Sequence, residues 1–213
     1  MTNFQKRILT SLIALPLSIF FVVKGGYFLL FFLIFILFAG VHELFNTFKK
    51  VKTKLILSLL LILSLCSIYY LSQNEKVFLY FIIAISVSTD IGGYVFGKIF
   101  KWKKLSKISP KKTISGVFGS YFCSFICIIV FNELSGSSSH GLLVSDLTPI
   151  PEILLTVIFS TVAQAGDLVI SYFKRLEKIK DTGKILPGHG GIFDRIDGLM
   201  FVAILAFVVV QLS

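Results

Sequence analysis

Seven long apolar stretches follow one another along this chain, at about residues 8–23, 27–48, 55–71, 77–96, 114–134, 150–173 and 193–212. A bilayer core takes roughly 20 apolar residues per helix. Lipid also offers backbone N–H and C=O groups no partner outside a helix or a closed barrel. Together these constraints predict an all-α fold: a polytopic helical membrane bundle of about seven transmembrane helices. Composition agrees, since only 15% of the 213 residues are charged and 55% are hydrophobic, whereas soluble domains carry about 25% charged residues. Nothing in the sequence divides it, so residues 1–213 read as a single integral membrane domain. The stretch Lys6-Arg7 plus apolar run has the start of a signal peptide, but no small-residue cleavage site follows at Val22-Val23-Lys24, so it is read as the first helix.

Charge sets the expected orientation. Of the 21 Lys and Arg, 19 lie at the N-terminus or in the connections after the second, fourth and sixth apolar stretches, and two (Lys24 and Lys76) lie in the others. The positive-inside bias therefore predicts a cytoplasmic N-terminus and places those three connections in the cytoplasm. The same bias accounts for the net charge of +10 without any nucleic-acid partner. The connection LSGSSSHGLLVSDLTPIP, residues 134–151, falls on the opposite face and reads as a flexible loop in which His140 is solvated. Cys66, Cys123 and Cys127 all lie in apolar stretches and read as packing residues.

Carboxylates are more telling than lysines. Only 11 residues are Asp or Glu, and among those within or at the ends of apolar stretches are Glu43, Asp90, Asp167, Asp194 and Asp197. An acid at membrane depth is costly, so it is paired, faces a wet cavity, or does chemistry. Asp90 and Asp167 precede Lys98 and Lys174 by eight and seven residues, which is about 10 Å of helical rise. Asp194 and Asp197, spaced i, i+3, share one side of the last helix. Taken singly, each acid could pair with a neighbouring Lys or Arg, or sit favourably at a helix N-terminus. Taken together, Asp167, Asp194 and Asp197 repel one another unless a cation lies among them, and oxygen-only ligands suit Mg²⁺. Glu43, beside His42 and near Asn46, reads as a polar contact with no assigned role.

Three polar segments carry the remaining signal. The run GGYVFGK, residues 92–98, fits the opening of a phosphate-binding P-loop, but Ile99 stands where the metal-binding Ser or Thr belongs. Its glycines read instead as helix-packing positions beside Asp90. In SPKKTISGVFGS, residues 109–120, Pro110 sets a turn and Thr113 is placed to cap the next helix, with Lys111 and Lys112 just before it. That segment is either a plain basic loop or a phosphate-facing helix start. The densest segment spans residues 171–198. Ser171, Lys174 and Arg175 share a helix face there, and Lys180-Asp181 follow. A turn then carries Gly188, His189, Gly190 and Gly191, whose backbone N–H groups can converge on an anion. Asp194-Arg195-Ile196-Asp197 open the last helix. These are components for binding a phosphorylated nucleotide with Mg²⁺ beside a lipid.

The segment SYFKRLEKIKDTGKILPGHGGIFDRID, residues 171–197, resembles the signature of the phosphatidate cytidylyltransferases, or CDP-diacylglycerol synthases. DIGGYVFG at 90–97 and SPKKT at 109–113 are similar to two further polar segments of that family, so the resemblance covers about residues 85–205, with residues 1–80 supplying N-terminal helices. The family commonly has an acid where this chain has Ser115. The resemblance implies a Mg²⁺-dependent nucleotidyltransferase of phospholipid biosynthesis, in a bacterial inner membrane with its active site at the cytoplasmic face. Its substrates would be CTP and phosphatidic acid, and its products CDP-diacylglycerol and pyrophosphate. The metal would fall to Asp167, Asp194 and Asp197, with a second cation and a homodimer left open. Lys174, Arg175 and Arg195 would join those acids in catalysis. Substrate contacts would come from Ser171, Lys180, Asp181, Gly188, His189, Gly190, Gly191, Lys112 and Asp90. Two other readings use similar residues: a CTP-dependent lipid-alcohol kinase and an ion-coupled carrier.

Overall fold

The computed structural model describes residues 3–106, 109–134, 150–183, 185, 188 and 190–212. His189 and the 135–149 connection, with His140, lie outside the described residues. Among the described residues there are seven helices: α1 Asn3–Lys24, α2 Gly26–Thr47, α3 Val51–Asn74, α4 Lys76–Phe100, α5 Ile114–Leu134, α6 Glu152–Leu176 and α7 Phe193–Leu212. The last six are long and apolar enough to cross a bilayer, whereas the apolar part of α1 is the shorter stretch Leu9–Lys24. The fold is a polytopic all-α membrane bundle, as the apolar stretches predict.

Surface character follows from that setting. Phe31, Phe35 and Phe38 are 71%, 62% and 72% exposed along one side of α2, and comparable apolar faces line α1, α3 and α5. Continuous apolar surface of this kind is a liability in water and the natural boundary of a protein in lipid. Inside, Phe78 and Phe81 of α4 meet Phe159 of α6 edge-on at 5.8 and 6.3 Å. This aromatic cluster fills the half of the bundle away from the acids.

Small residues position the other half. A Cβ on Gly92 of α4 would overlap the Gly119 carbonyl of α5, and one on Gly119 would lie 2.7 Å from the Gly92 carbonyl oxygen. The backbones of α4 and α5 therefore touch, as small residues allow between membrane helices. Gly198 of α7 meets the Ala163 carbonyl of α6 in the same manner, and Gly166 of α6 seats the Phe201 ring. These two crossings draw the acid-bearing helices α4, α6 and α7 to the Lys112 end of α5.

The P-loop likeness at 92–98 is thus excluded, because the segment lies inside continuous α4 and its glycines pack against α5. Gly92→Ala should cost about 1–3 kcal/mol, because its obstacle is backbone and cannot rotate away. Gly93→Ala should cost less, since its nearest obstacle is the Ser120 hydroxyl. Thermal unfolding of both variants in detergent checks that order.

Candidate active site

Between α4 and α6 the interior turns polar. Thr89, only 1% exposed, hydrogen-bonds the hydroxyls of Ser124 and Ser160 at 3.0 Å each. Ser120 in turn donates to the Thr89 carbonyl at 2.8 Å. Above this layer opens a cavity of about 490 Å³. Asp90 lies ten residues before Phe100 and Asp167 nine before Leu176, the ends of α4 and α6. Both acids sit ~14–15 Å down their helices at 1.5 Å per residue. Asp194, by contrast, is the second residue of α7.

The cavity gathers most of the residues singled out in the sequence. Asp90, Lys112, Asp167, Ser171, Lys174 and Arg175 line it, and so do Lys180, Asp181, Asp194, Arg195 and Asp197. Lys111 lines it as well, which makes six cations against five carboxylates. So dense a mixture in one hollow demands internal pairing, and two ion pairs are formed. Lys112 Nζ stands 2.7 Å from Asp167 Oδ2 and donates to the Gln164 carbonyl at 3.2 Å. Lys174 Nζ stands 2.7 Å from Asp194 Oδ1, with both side chains about nine-tenths buried. Asp90, Asp167 and Asp197 are close enough to feel one another's charge, with Lys112, Lys174 and Arg195 moderating it. Arg175 is exposed and donates to the Ile179 carbonyl at 3.3 Å.

Local chemistry explains how these elements are held. Thr113 caps α5, its hydroxyl accepting from Gly116 N–H at 3.1 Å, as its place before the apolar run predicts. Lys103 and Leu105 pair with Ile114 and Lys112 through backbone bonds of 3.0 and 2.9 Å, folding the α4–α5 connection back over the cavity. Ser115, where the family commonly has an acid, is buried and bonds the Thr113 hydroxyl at 3.0 Å.

The glycine-rich turn departs from expectation in one respect. Gly188 and Gly190 have φ of 78° and 88°, the left-handed region that favours glycine. Two amides at its end donate to the protein's own carboxylates. Gly191 N–H donates to Asp194 Oδ2 at 3.1 Å, and Ile192 N–H donates to Glu43 Oε2 at 2.7 Å. Asp194 Oδ2 also accepts Thr182 N–H at 2.8 Å. Asp194 is therefore enclosed by protein donors, while Asp197 accepts its neighbour Gly198 N–H at 2.9 Å.

Sequence reasoning gave Glu43 no role, and Thr182 carried no signal. Both prove central to the turn, since Glu43 is buried and also accepts the Thr182 hydroxyl. A second tie lies nearby, where the backbone N–H groups of Lys49 and Lys50 donate to the Glu177 carboxylate at 3.2 Å each. Desolvation pushes the Glu177 carboxyl up, but these donors and the Lys50 charge outweigh it and hold the group below the usual range.

A helical membrane bundle with cations and carboxylates gathered in one hollow is the class of protein that the fold and the cavity define. Residues 62–213 match the family described as the cytidylyltransferase family, and the chain belongs to that family. A phosphatidate cytidylyltransferase of Staphylococcus epidermidis is 40% identical over 136 residues, covering 63% of this chain and 49% of that protein. Those of Staphylococcus haemolyticus and Staphylococcus aureus are 45% and 47% identical over 115 and 117 residues, covering 54% of this chain and 41% of theirs. The chain thus matches about half the length of these curated relatives or somewhat less.

Proposed function

We propose that this protein transfers the cytidylyl group of CTP to phosphatidic acid, giving CDP-diacylglycerol and pyrophosphate. The observation that carries the reading is the single cavity in which Lys112, Lys174, Arg175, Lys180 and Arg195 meet Asp90, Asp167 and Asp197. The relatives named for this activity support it. In the reaction a phosphatidate oxygen forms a bond to the α-phosphorus of CTP, and the bond from that phosphorus to the oxygen shared with the β-phosphate breaks, releasing pyrophosphate. The nucleophile is already anionic near neutral pH, so a strong general base is unnecessary. What the site must do is hold two polyanions together and carry the charge that gathers on the departing pyrophosphate.

The cations suit that task. Lys180, Arg175 and Arg195 are exposed at the cavity, on the side where phosphate oxygens arrive from water. Lys112, half-buried beside Asp167, is placed to meet a phosphate nearer the bilayer. Lys174, held by Asp194, is a buried cation in the cavity wall. Ser171, bonded to Asp167 at 3.3 Å, orients that carboxylate. Acyl chains would remain in lipid, against the apolar faces of the bundle.

Mg²⁺ fits the carboxylates as a partner shared with the nucleotide. Among the described residues, no group of three His, Cys, Asp or Glu could hold a metal ion unaided. Asp167, Asp197 and Asp90 nonetheless present mutually repelling oxygens to one cavity, and Mg²⁺ commonly completes such a set with water and substrate phosphate. Asp167 and Asp197, with Asp90 beside them, would hold it. When bound, it would neutralise phosphate charge. Asp194, expected in the same set, holds Lys174 and the loop in the metal-free protein.

The lysine and arginine bias supports a cytoplasmic active site, and the bacterial relatives support a bacterial inner (plasma) membrane as its setting. Product analysis in detergent tests the reaction. With CTP, Mg²⁺ and phosphatidic acid, pyrophosphate should appear in step with consumption of phosphatidic acid. CDP appearing instead, and only with a lipid alcohol present, would make the protein a kinase.

A further inference from the structure

The family match begins at residue 62, so α2 lies outside it. Yet α2 holds the segment that carries Lys180 and Asp181. Glu43, 2% exposed, reaches from α2 to Ile192 N–H with one oxygen and to the Thr182 hydroxyl with the other. Thr182 is fully buried, and its hydroxyl also stands 3.1 Å from Asp194 Oδ2. One hydroxyl proton thus lies between two carboxylates, and the nearer one is Glu43. Gly183 and Gly191 press against the Glu43 side chain with no space for a Cβ, and Gly40, one turn earlier on α2, faces the Phe193 ring.

A buried carboxylate enclosed on this scale needs every donor it has. The arrangement is therefore a single register: sliding the loop would orphan Glu43, Thr182 and two backbone amides together. We propose that Glu43 and Thr182 form a lock by which α2 fixes the Lys180–Asp181 segment and the start of α7 against the cavity. Glu43 is a positioning residue in this arrangement, acting through Thr182, Asp194 and Lys174. Its catalytic consequence rests on the cytidylyltransfer reading above.

Thr182→Val removes the hydroxyl at nearly constant shape, and Thr182→Ser restores it. The readouts are kcat, the KM values for CTP and phosphatidic acid in mixed micelles, the thermal midpoint, and amide hydrogen exchange across residues 177–192. Thr182→Val should remain folded and lose on the order of 10²-fold in kcat, with the phosphatidate KM within about twofold, because misplacement affects attack geometry more than lipid binding. Exchange at the Thr182 and Ile192 amides should accelerate in that variant, and Thr182→Ser should return both readouts close to the parent. Parental kcat and exchange in Thr182→Val would overturn the lock, as would a serine variant no better than valine. So would a loss that disappears once kcat is expressed per folded molecule. If the parent itself makes no CDP-diacylglycerol, the cytidylyltransfer reading fails, and the exchange comparison alone still decides the lock.

Discussion

Asp194→Ala should abolish turnover and destabilise the fold together. The carboxylate lies about nine-tenths buried and accepts Lys174 Nζ on one oxygen and the Thr182 and Gly191 amides on the other. Alanine leaves the Lys174 ammonium buried without its counter-charge and two amides without an acceptor. Breaking a buried pair by removing one partner typically costs about 3–5 kcal/mol, well above the worth of the pair against an apolar replacement. Lys174→Met in the same background should recover part of the stability, because no charge is then stranded, while activity stays lost. A double-mutant cycle on thermal midpoints in detergent, with turnover measured beside it, checks both halves. Additive midpoints would mean that the pair is not coupled as its geometry requires.

Asp197→Asn should separate activity from stability in the opposite direction. The Asp197 carboxylate faces Asp167 and Asp90, and its hydrogen bond is from Gly198 N–H, which an amide oxygen can equally accept. Removing its charge relieves repulsion in the apo protein, so the thermal midpoint should stay level or rise. Turnover should nevertheless fall by about 10²–10³-fold, the usual loss when one preorganised charge contact to a transition state is removed. The remaining activity should need more Mg²⁺ than the parent, if Asp197 is one of the oxygens that hold it. Parental turnover with a lowered midpoint would mark Asp197 as a structural acid. Such an exchange of stability for function is the expected signature of a site whose charges await a substrate.

Much of this was legible in the residues themselves. The bounds expected for the fifth and seventh helices coincide with α5 and α7. The fourth and sixth run on to Phe100 and Leu176, because a helix does not stop where apolar residues stop. Lys98, Lys174 and Arg175 extend those helices into the headgroup region, where long cationic side chains are at home. Depth and spacing alone brought Asp90, Asp167, Asp194 and Asp197 toward one level, and the cavity contains all four.

What stayed hidden depends on the third dimension. Glu43 meets Thr182 across 139 positions and Ile192 across 149, with no periodicity to connect them. The glycine-rich turn reads as anion-binding, but composition cannot say whether the anion is a substrate phosphate or a carboxylate of the same chain. Nor can it separate Asp194 from Asp197. Three residues apart on one helix, they differ only in what surrounds each oxygen.

The most direct measurement is the fate of α-labelled CTP given to the purified protein in detergent with phosphatidic acid and Mg²⁺. The account predicts label in a lipid that migrates as CDP-diacylglycerol, an equal amount of free pyrophosphate, and loss of both in Asp197→Asn. Label that remains wholly water-soluble, from protein shown to be folded and with lipid substrate present, would contradict it.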